Sequence, residues 1–427
     1  MTSEFKNMKK QITHLIKGGF FHILIGNTLT KMFAFISSIV IVRLVSKEDF
    51  AYLSYADNLY LYVIAISGLG MSSAILKYCG PHVQQDQDKA YLNYAIKFGG
   101  IVELVLSALV TIYVWICNIP FQQSRLLVSI MIFYPLLNYI VTTFQSYARA
   151  HFDNKVFAKI ALMQSFFVLL LSIISIKIIG IFGMVFARYL SLGICCYFGY
   201  AYAKSKNYSL SPVILGIKEK REFMNLSFSF MFSSLFSMIM PINETFMINN
   251  ILKDEILSSN YKVSMLIPSQ TMFIANSIAI YFFSVLNNIA NKKLLWNKLK
   301  KIEILSIGII GGVSLTGFVL FPYIIKYIYG EKYSDCIGFS NMYWIVYGIN
   351  SSFRLIALNL IPAIGKAKVA AIISVISAII HALSCYLIIP RFGIYGAGFV
   401  LGLIYLISGF AYWIYIYYCC HFNNDKE

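Results

Sequence analysis

The chain has 427 residues, of which 59% are hydrophobic, 16% aromatic and only 12% charged, against roughly 25% charged in an ordinary soluble domain. No water-soluble core is large enough to hide so much apolar surface, which excludes a soluble globular enzyme and makes the bilayer the solvent for most side chains. The formal charge of +17 does not mark a nucleic-acid binder, because the positive residues cluster in loops between apolar runs, where membrane topology puts them.

Residues 1 to 19 carry Lys6, Lys9, Lys10 and Lys17, with Phe5, Met8, Ile12, Leu15 and Ile16 at helical spacing. This reads as an amphipathic cytoplasmic segment lying on the membrane surface. No small-residue cleavage site follows the first apolar run, so nothing is expected to be removed. Twelve apolar spans follow, at about residues 20 to 45, 51 to 78, 92 to 118, 125 to 150, 156 to 178, 181 to 203, 223 to 252, 258 to 287, 302 to 329, 336 to 362, 369 to 389 and 393 to 418. Each is long enough to cross roughly 30 Å of hydrocarbon at about 1.5 Å per residue. Their apolar character is continuous rather than alternating, which favours helices over barrel strands. The predicted fold class is an all-α polytopic membrane protein. Its N-lobe covers 20–203, a polar, basic cytoplasmic linker with Pro212 covers 204–222, the C-lobe covers 223–418, and a cytoplasmic tail covers 419–427.

Charged residues inside spans cost several kcal/mol when they face lipid, so those that occur are the candidates for function. In span one Lys31 shares a helical face with Asn27, Ala34 and Ser38. Asp57, near the outer end of span two, and Glu103, near the middle of span three, are candidate proton carriers. The stretch Gln84 to Lys89 reads as a solvated loop. Arg188 lies shallow in span six and reads as an interfacial anchor. Span seven carries Ser229, Ser233, Ser237 and Glu244 along one stripe, with Pro241 as a source of a kink. Lys31 and Glu244 are expected to face a central hydrated cavity, although small and hydroxylated residues on such stripes also serve close helix packing. Arg354 in span ten, beside Asn350 and Ser351, has a planar fork suited to phosphate and is equally suited to structural pairing. His381 reads as a neutral histidine bonded to a neighbouring helix. The eight cysteines include the adjacent pairs Cys195/Cys196 and Cys419/Cys420 and no Cys-x-x-Cys, so neither a metal site nor a disulfide framework is predicted.

Counting Lys and Arg on alternate sides gives 23 on the side of the N-terminus and nine on the other, with Lys31, Arg188 and Arg354 inside spans. Both termini are therefore expected in the cytoplasm. An ungapped repeat appears at an offset of 213 residues: Ala150, Lys155 and Val156 match Ala363, Lys368 and Val369, and Gly180-Ile181-Phe182-Gly183 matches Gly393-Ile394-Tyr395-Gly396. An offset that carries six spans onto six implies two six-helix lobes of the same orientation, the parallel-repeat plan of many secondary transporters. The phosphate-binding loop Gly-x4-Gly-Lys-Ser/Thr is absent, as are His-Glu-x-x-His and Gly-x-Ser-x-Gly.

The basic N-terminus running into a polar first span, Val42-Arg43-Leu44-Val45-Ser46-Lys47-Glu48-Asp49-Phe50-Ala51, Gly68-Leu69-Gly70 with Ala74-Ile75-Leu76-Lys77-Tyr78, and Ile361-Pro362-Ala363-Ile364-Gly365-Lys366 resemble a known group. These are the polysaccharide transporters, or O-antigen flippases, of the multidrug, oligosaccharidyl-lipid and polysaccharide (MOP) exporter superfamily. The likeness covers essentially the whole chain, but its motifs are diffuse. It implies a MATE-like fold and a flippase that carries a polyprenyl-diphosphate-linked oligosaccharide across a bacterial inner membrane by alternating access. It also implies a proton or sodium gradient in place of any bound cofactor, and the glycosyltransferases and polymerase of the same pathway as partners. Lys31, Arg354, Asn27 and Asn350 are then the expected substrate contacts, and Glu244, Glu103 and Asp57 the ion-coupling candidates. A drug or metabolite exporter of the same superfamily and a membrane-embedded glycan polymerase or acyltransferase are the alternatives. A lipid II flippase of the superfamily would have two further spans.

Overall fold

In hydrocarbon every backbone polar group must be satisfied within the chain, and this sequence does so with helices throughout the described residues. The computed structural model describes residues 20–206, 208, 215–287, 289, 291–364 and 366–422. The helices are α1 Phe20–Leu44, α2 Lys47–Tyr78, α3 Gln85–Ile116, α4 Ser124–Ala150, α5 Asn154–Ile179, α6 Ile181–Ser205 and α7 Ile217–Leu252. Helix α8 joins Glu255–Leu266 to Thr271–Asn287 through the tight turn Pro268–Gln270, and α9 is Lys292–Tyr329. Helix α10 joins Ile337–Ile349 to Leu355–Leu360 through a widened π turn at Asn350–Arg354. The continuous stretch Ala367–His421 breaks at Gly393 into α11 and α12.

Among the described residues, seven helices taken singly are long and apolar enough to cross a membrane, and α7 makes an eighth. The last of the seven, Lys368–His421, has 54 residues. At about 1.5 Å each it would run roughly 80 Å, which is two crossings. Helix α1 begins at the edge of the described residues, and α8 and α10 are interrupted by turns, which removes them from a test for single unbroken helices. The fold is an all-helical polytopic membrane fold of about twelve helices, and lipid-facing stripes are evident on it. On α3, Ile101, Val105, Leu109, Ile112 and Ile116 are all exposed at spacings of three and four, the pattern of a helix face turned to hydrocarbon.

The chain divides into two compact units, Met1–Leu235 and Phe236–Glu427, so the division falls inside α7. The first turns of α7 belong to the first unit because Phe223 is fully buried against the rings of Tyr78, Tyr91 and Tyr94. They also lie so close to α2 that a Cβ at Gly70 would meet the carbonyl oxygen of Ser227 at 2.1 Å. In each unit the fifth helix is followed by the same break. Gly180 has φ 61 and ψ −142, Gly393 has φ 56 and ψ −140, and the preceding helices start at Asn154 and Ala367, again 213 residues apart.

One expectation is corrected. The segment predicted as a solvated loop, Gln84 to Lys89, is helical from Gln85, and Asp88 within it is buried. Its carboxylate accepts the Gly80 N–H at 2.8 Å and the Tyr147 hydroxyl at 2.5 Å, with His151 at 3.6 Å. Composition suggested solvent, but a carboxylate at this end of α3 fastens the α2–α3 connection onto α4.

Candidate functional site

In the first unit, α1, α4, α5 and α6 line a partly open cavity of about 480 Å³. The face of α1 predicted to be polar reaches it through Ala34 and Ser38, together with Thr30 and Ser37. Lys31, on the same helix, is exposed and is not part of this lining. Asn27 lies outside the residues whose side chains are described. At the cavity wall Arg188 of α6 makes a two-pronged ion pair with Asp57 of α2, one arm at 2.8 Å, and its guanidinium lies 5.4 Å from the centre of the Tyr134 ring. Both carboxylate oxygens of Asp57 are engaged by Arg188.

Glu103 is buried where α3 crosses the break in α2. There Ser67, Gly68, Leu69 and Gly70 all have positive φ, a left-handed turn that frees the Gly68 N–H. One Glu103 oxygen accepts that N–H at 2.6 Å, and the other has no partner among the described residues. The carboxylate thus serves as the acceptor for a helix interruption that would otherwise bury an unsatisfied donor.

In the second unit buried polar side chains stand on α7, α8, α10, α11 and α12. Glu244 of α7 accepts the Tyr343 hydroxyl at 2.5 Å, its other oxygen lies 3.8 Å from His381 Nε2, and both residues have no exposure. His381 Nε2 is 3.4 Å from the Cys385 thiol, and Tyr261 meets Thr245 at 3.2 Å. Arg354 is 2% exposed. It donates to Ser408 at 2.9 Å and to Asn350 at 3.1 Å and stacks beneath Tyr405 and Tyr412, with Nη2 left unpartnered among the described residues. His381 and Tyr405 both feel the Arg354 charge, and Tyr405 feels that of Glu244 as well. The Arg354 guanidinium is thus held by neutral acceptors and aromatic faces. Arg354 with Asn350 and Glu244 with His381 are thus two buried polar groups of the second unit.

Two features escaped sequence reasoning. Glu303 on α9 is 8% exposed with neither oxygen partnered among the described residues. It stands at the start of the span expected from residue 302, but α9 begins ten residues earlier, at Lys292. Gln145 and Gln164 line the first-unit cavity, and two amides inside apolar spans were a signal left unread.

Solved structures share this fold. An inward-facing MATE-family multidrug resistance transporter of the MOP superfamily superposes with a TM-score of 0.72 at 13% identity, over 92% of this chain and 94% of that one. The lipid II flippase MurJ in an inward closed conformation gives 0.72 at 17% identity, over 92% of this chain and 87% of that one. An outward-facing MATE transporter gives 0.61 at 13%, over 94% of each. No curated protein matches by sequence. The fold class is therefore the all-helical one of these transporter structures. Within it, the family model described as polysaccharide biosynthesis protein matches residues 16–286. The chain belongs to that family.

Proposed function

We propose that the protein is a flippase. Its cargo is a polyprenyl-diphosphate-linked oligosaccharide, the unit of an O-antigen or related surface polysaccharide, moved across a bacterial inner membrane by alternating access. The observation that carries this reading is the family match over residues 16–286. The lobes at 20–203 and 223–418 rock about the cytoplasmic 204–222 linker, with both termini cytoplasmic. The polymerase and glycosyltransferases of the pathway are the working partners.

In this scheme Lys31, exposed on α1, is the cation that meets the diphosphate, with Asn27 one turn away. Arg354, held by Asn350 under two tyrosine rings, acts with Glu244 as the coupling element. When Glu244 takes up a proton or sodium ion, a buried negative charge of the second unit is neutralised, and the unit favours an opened arrangement in which the arginine reaches phosphate. Glu103 and Asp57 are secondary coupling positions because each carboxylate already has a structural partner.

The test is genetic and chemical. Deleting the gene removes surface polysaccharide and accumulates lipid-linked units in the cytoplasmic leaflet, and complementation with Lys31→Ala or Glu244→Gln restores membrane protein but not export. Normal polysaccharide after deletion, in a strain without a second flippase, refutes the proposal. The fold likeness to multidrug MATE transporters favours a second reading, a drug or metabolite exporter. It predicts changed resistance to cationic compounds with the glycan intact.

A further inference from the structure

We infer that the cavity inside the first unit is a carbohydrate subsite, taking an uncharged sugar ring of the transported glycan. This rests on the flippase reading and names a part of the cargo that the phosphate-directed residues leave unaddressed. The cavity, about 480 Å³, lies within the range of small-ligand sites, roughly 300–1,000 Å³.

Its chemistry selects the class of ligand by elimination. An anion would need a free cation, yet the one charged residue of the lining, Arg188, has both arms on Asp57 and its face on Tyr134. A cation would need a free carboxylate, and the lining offers none. A purely apolar ligand would seal in unmet polar atoms. Ser37 is 4% exposed, and its hydroxyl, like that of Thr30, has no hydrogen-bond partner among the described residues. Both oxygens are already out of solvent contact, so they gain a partner only where the wall adjusts around a polar ligand, and each left unmet costs about 1–3 kcal/mol. The side-chain amides of Gln145 on α4 and Gln164 on α5 also face the cavity with no side-chain hydrogen bond among the described residues. An amide offers an acceptor and two donors, the complement of vicinal hydroxyls. Apolar Ile41, Val168 and Met184 complete the wall and suit the C–H faces of a pyranose. A neutral ring with a hydroxyl rim meets all of these requirements together.

The test uses the full-length protein in lipid nanodiscs, away from glycoside detergents. Residue 34 lines the cavity and is exposed, and Cys117 is an exposed native thiol, so Ala34→Cys is introduced with Cys117→Ser. The rate of maleimide attachment at position 34 is read by peptide mass spectrometry with glucose, galactose, N-acetylglucosamine, inorganic pyrophosphate or tetraphenylphosphonium present. At a sugar concentration of about ten times Kd, labelling slows roughly tenfold, because only the empty fraction reacts. Gln145→Ala with Gln164→Ala abolishes that protection while the melting curve stays that of the parent. Protection by pyrophosphate and not by any sugar overturns the carbohydrate assignment and leaves the flippase reading intact. Protection by tetraphenylphosphonium alone overturns both. No protection by any compound, in protein whose deletion phenotype is loss of surface polysaccharide, overturns the subsite alone.

Discussion

At the scale of single residues, the pairing of Asp57 with Arg188 shows what a charge inside a span requires. Their side chains are 26% and 15% exposed, between a surface pair worth about 0–1 kcal/mol and a buried one whose breakage costs about 3–5. Asp57→Asn should therefore destabilise the protein by roughly 2–3 kcal/mol, because it strands the guanidinium among apolar neighbours. Asp57→Asn with Arg188→Gln should recover much of the loss, a coupling that a double-mutant cycle on thermal unfolding reads directly. Additive single effects would mean the pair carries no interaction energy. Glu244 is predicted to behave differently. Glu244→Gln keeps an acceptor for Tyr343 and should fold, while Glu244→Ala leaves that hydroxyl and His381 without it and should lower the melting temperature. If both variants melt alike, the Tyr343 bond at 2.5 Å contributes nothing.

At the scale of elements, the glycine breaks between α5 and α6 and between α11 and α12 are the clearest local rule that the sequence exposed. A repeated Gly-x-aromatic-Gly at one offset implied a repeated conformation, and the two backbones agree within a few degrees. Apart from the adjoining backbone and the two chain neighbours, no heavy atom lies within 4 Å of a Cβ built on either Gly180 or Gly393. The cost of Gly393→Ala is thus backbone strain alone, about 1–3 kcal/mol, and Gly180→Ala should match it. Unequal losses in melting temperature would show that the two turns are held differently. The spans were legible because lipid leaves no choice of partner for a long apolar run: length and hydropathy suffice. Asp88 and Glu303 were not legible, since each sits where a helix extends past its apolar run into charged sequence. There the deciding contacts, such as Tyr147 from α4 onto Asp88, come from residues distant along the chain. Placement within a helix could be read for Asp57, Arg188 and Glu244. Their partners could not, because position along a helix fixes neither which neighbour it faces nor through which residue.

At the scale of the whole molecule, the direction of transport depends on which face of the protein lies in the cytoplasm, and the excess of 23 positive residues over nine predicts that face. The chain carries its own reporter. Cys117 follows α3 in the connection to α4 and is exposed, whereas Cys79, Cys195, Cys336, Cys385, Cys419 and Cys420 are buried and Cys196 is intermediate. Three spans separate Cys117 from the N-terminus, so a cytoplasmic N-terminus places this thiol outside the inner membrane. A membrane-impermeant maleimide added to cells with a permeabilised outer membrane should therefore modify the protein, and Cys117→Ser should remove nearly all of that signal. Arg125 donates to the Val114 carbonyl at 2.8 Å and stacks near Trp115, which anchors the connection and keeps the thiol in one place during the assay. Labelling that appears only after the inner membrane is broken would invert the topology. The lysine-rich linker would then face outward, and a flippase loading from the cytoplasmic leaflet would have no basic entrance to load through.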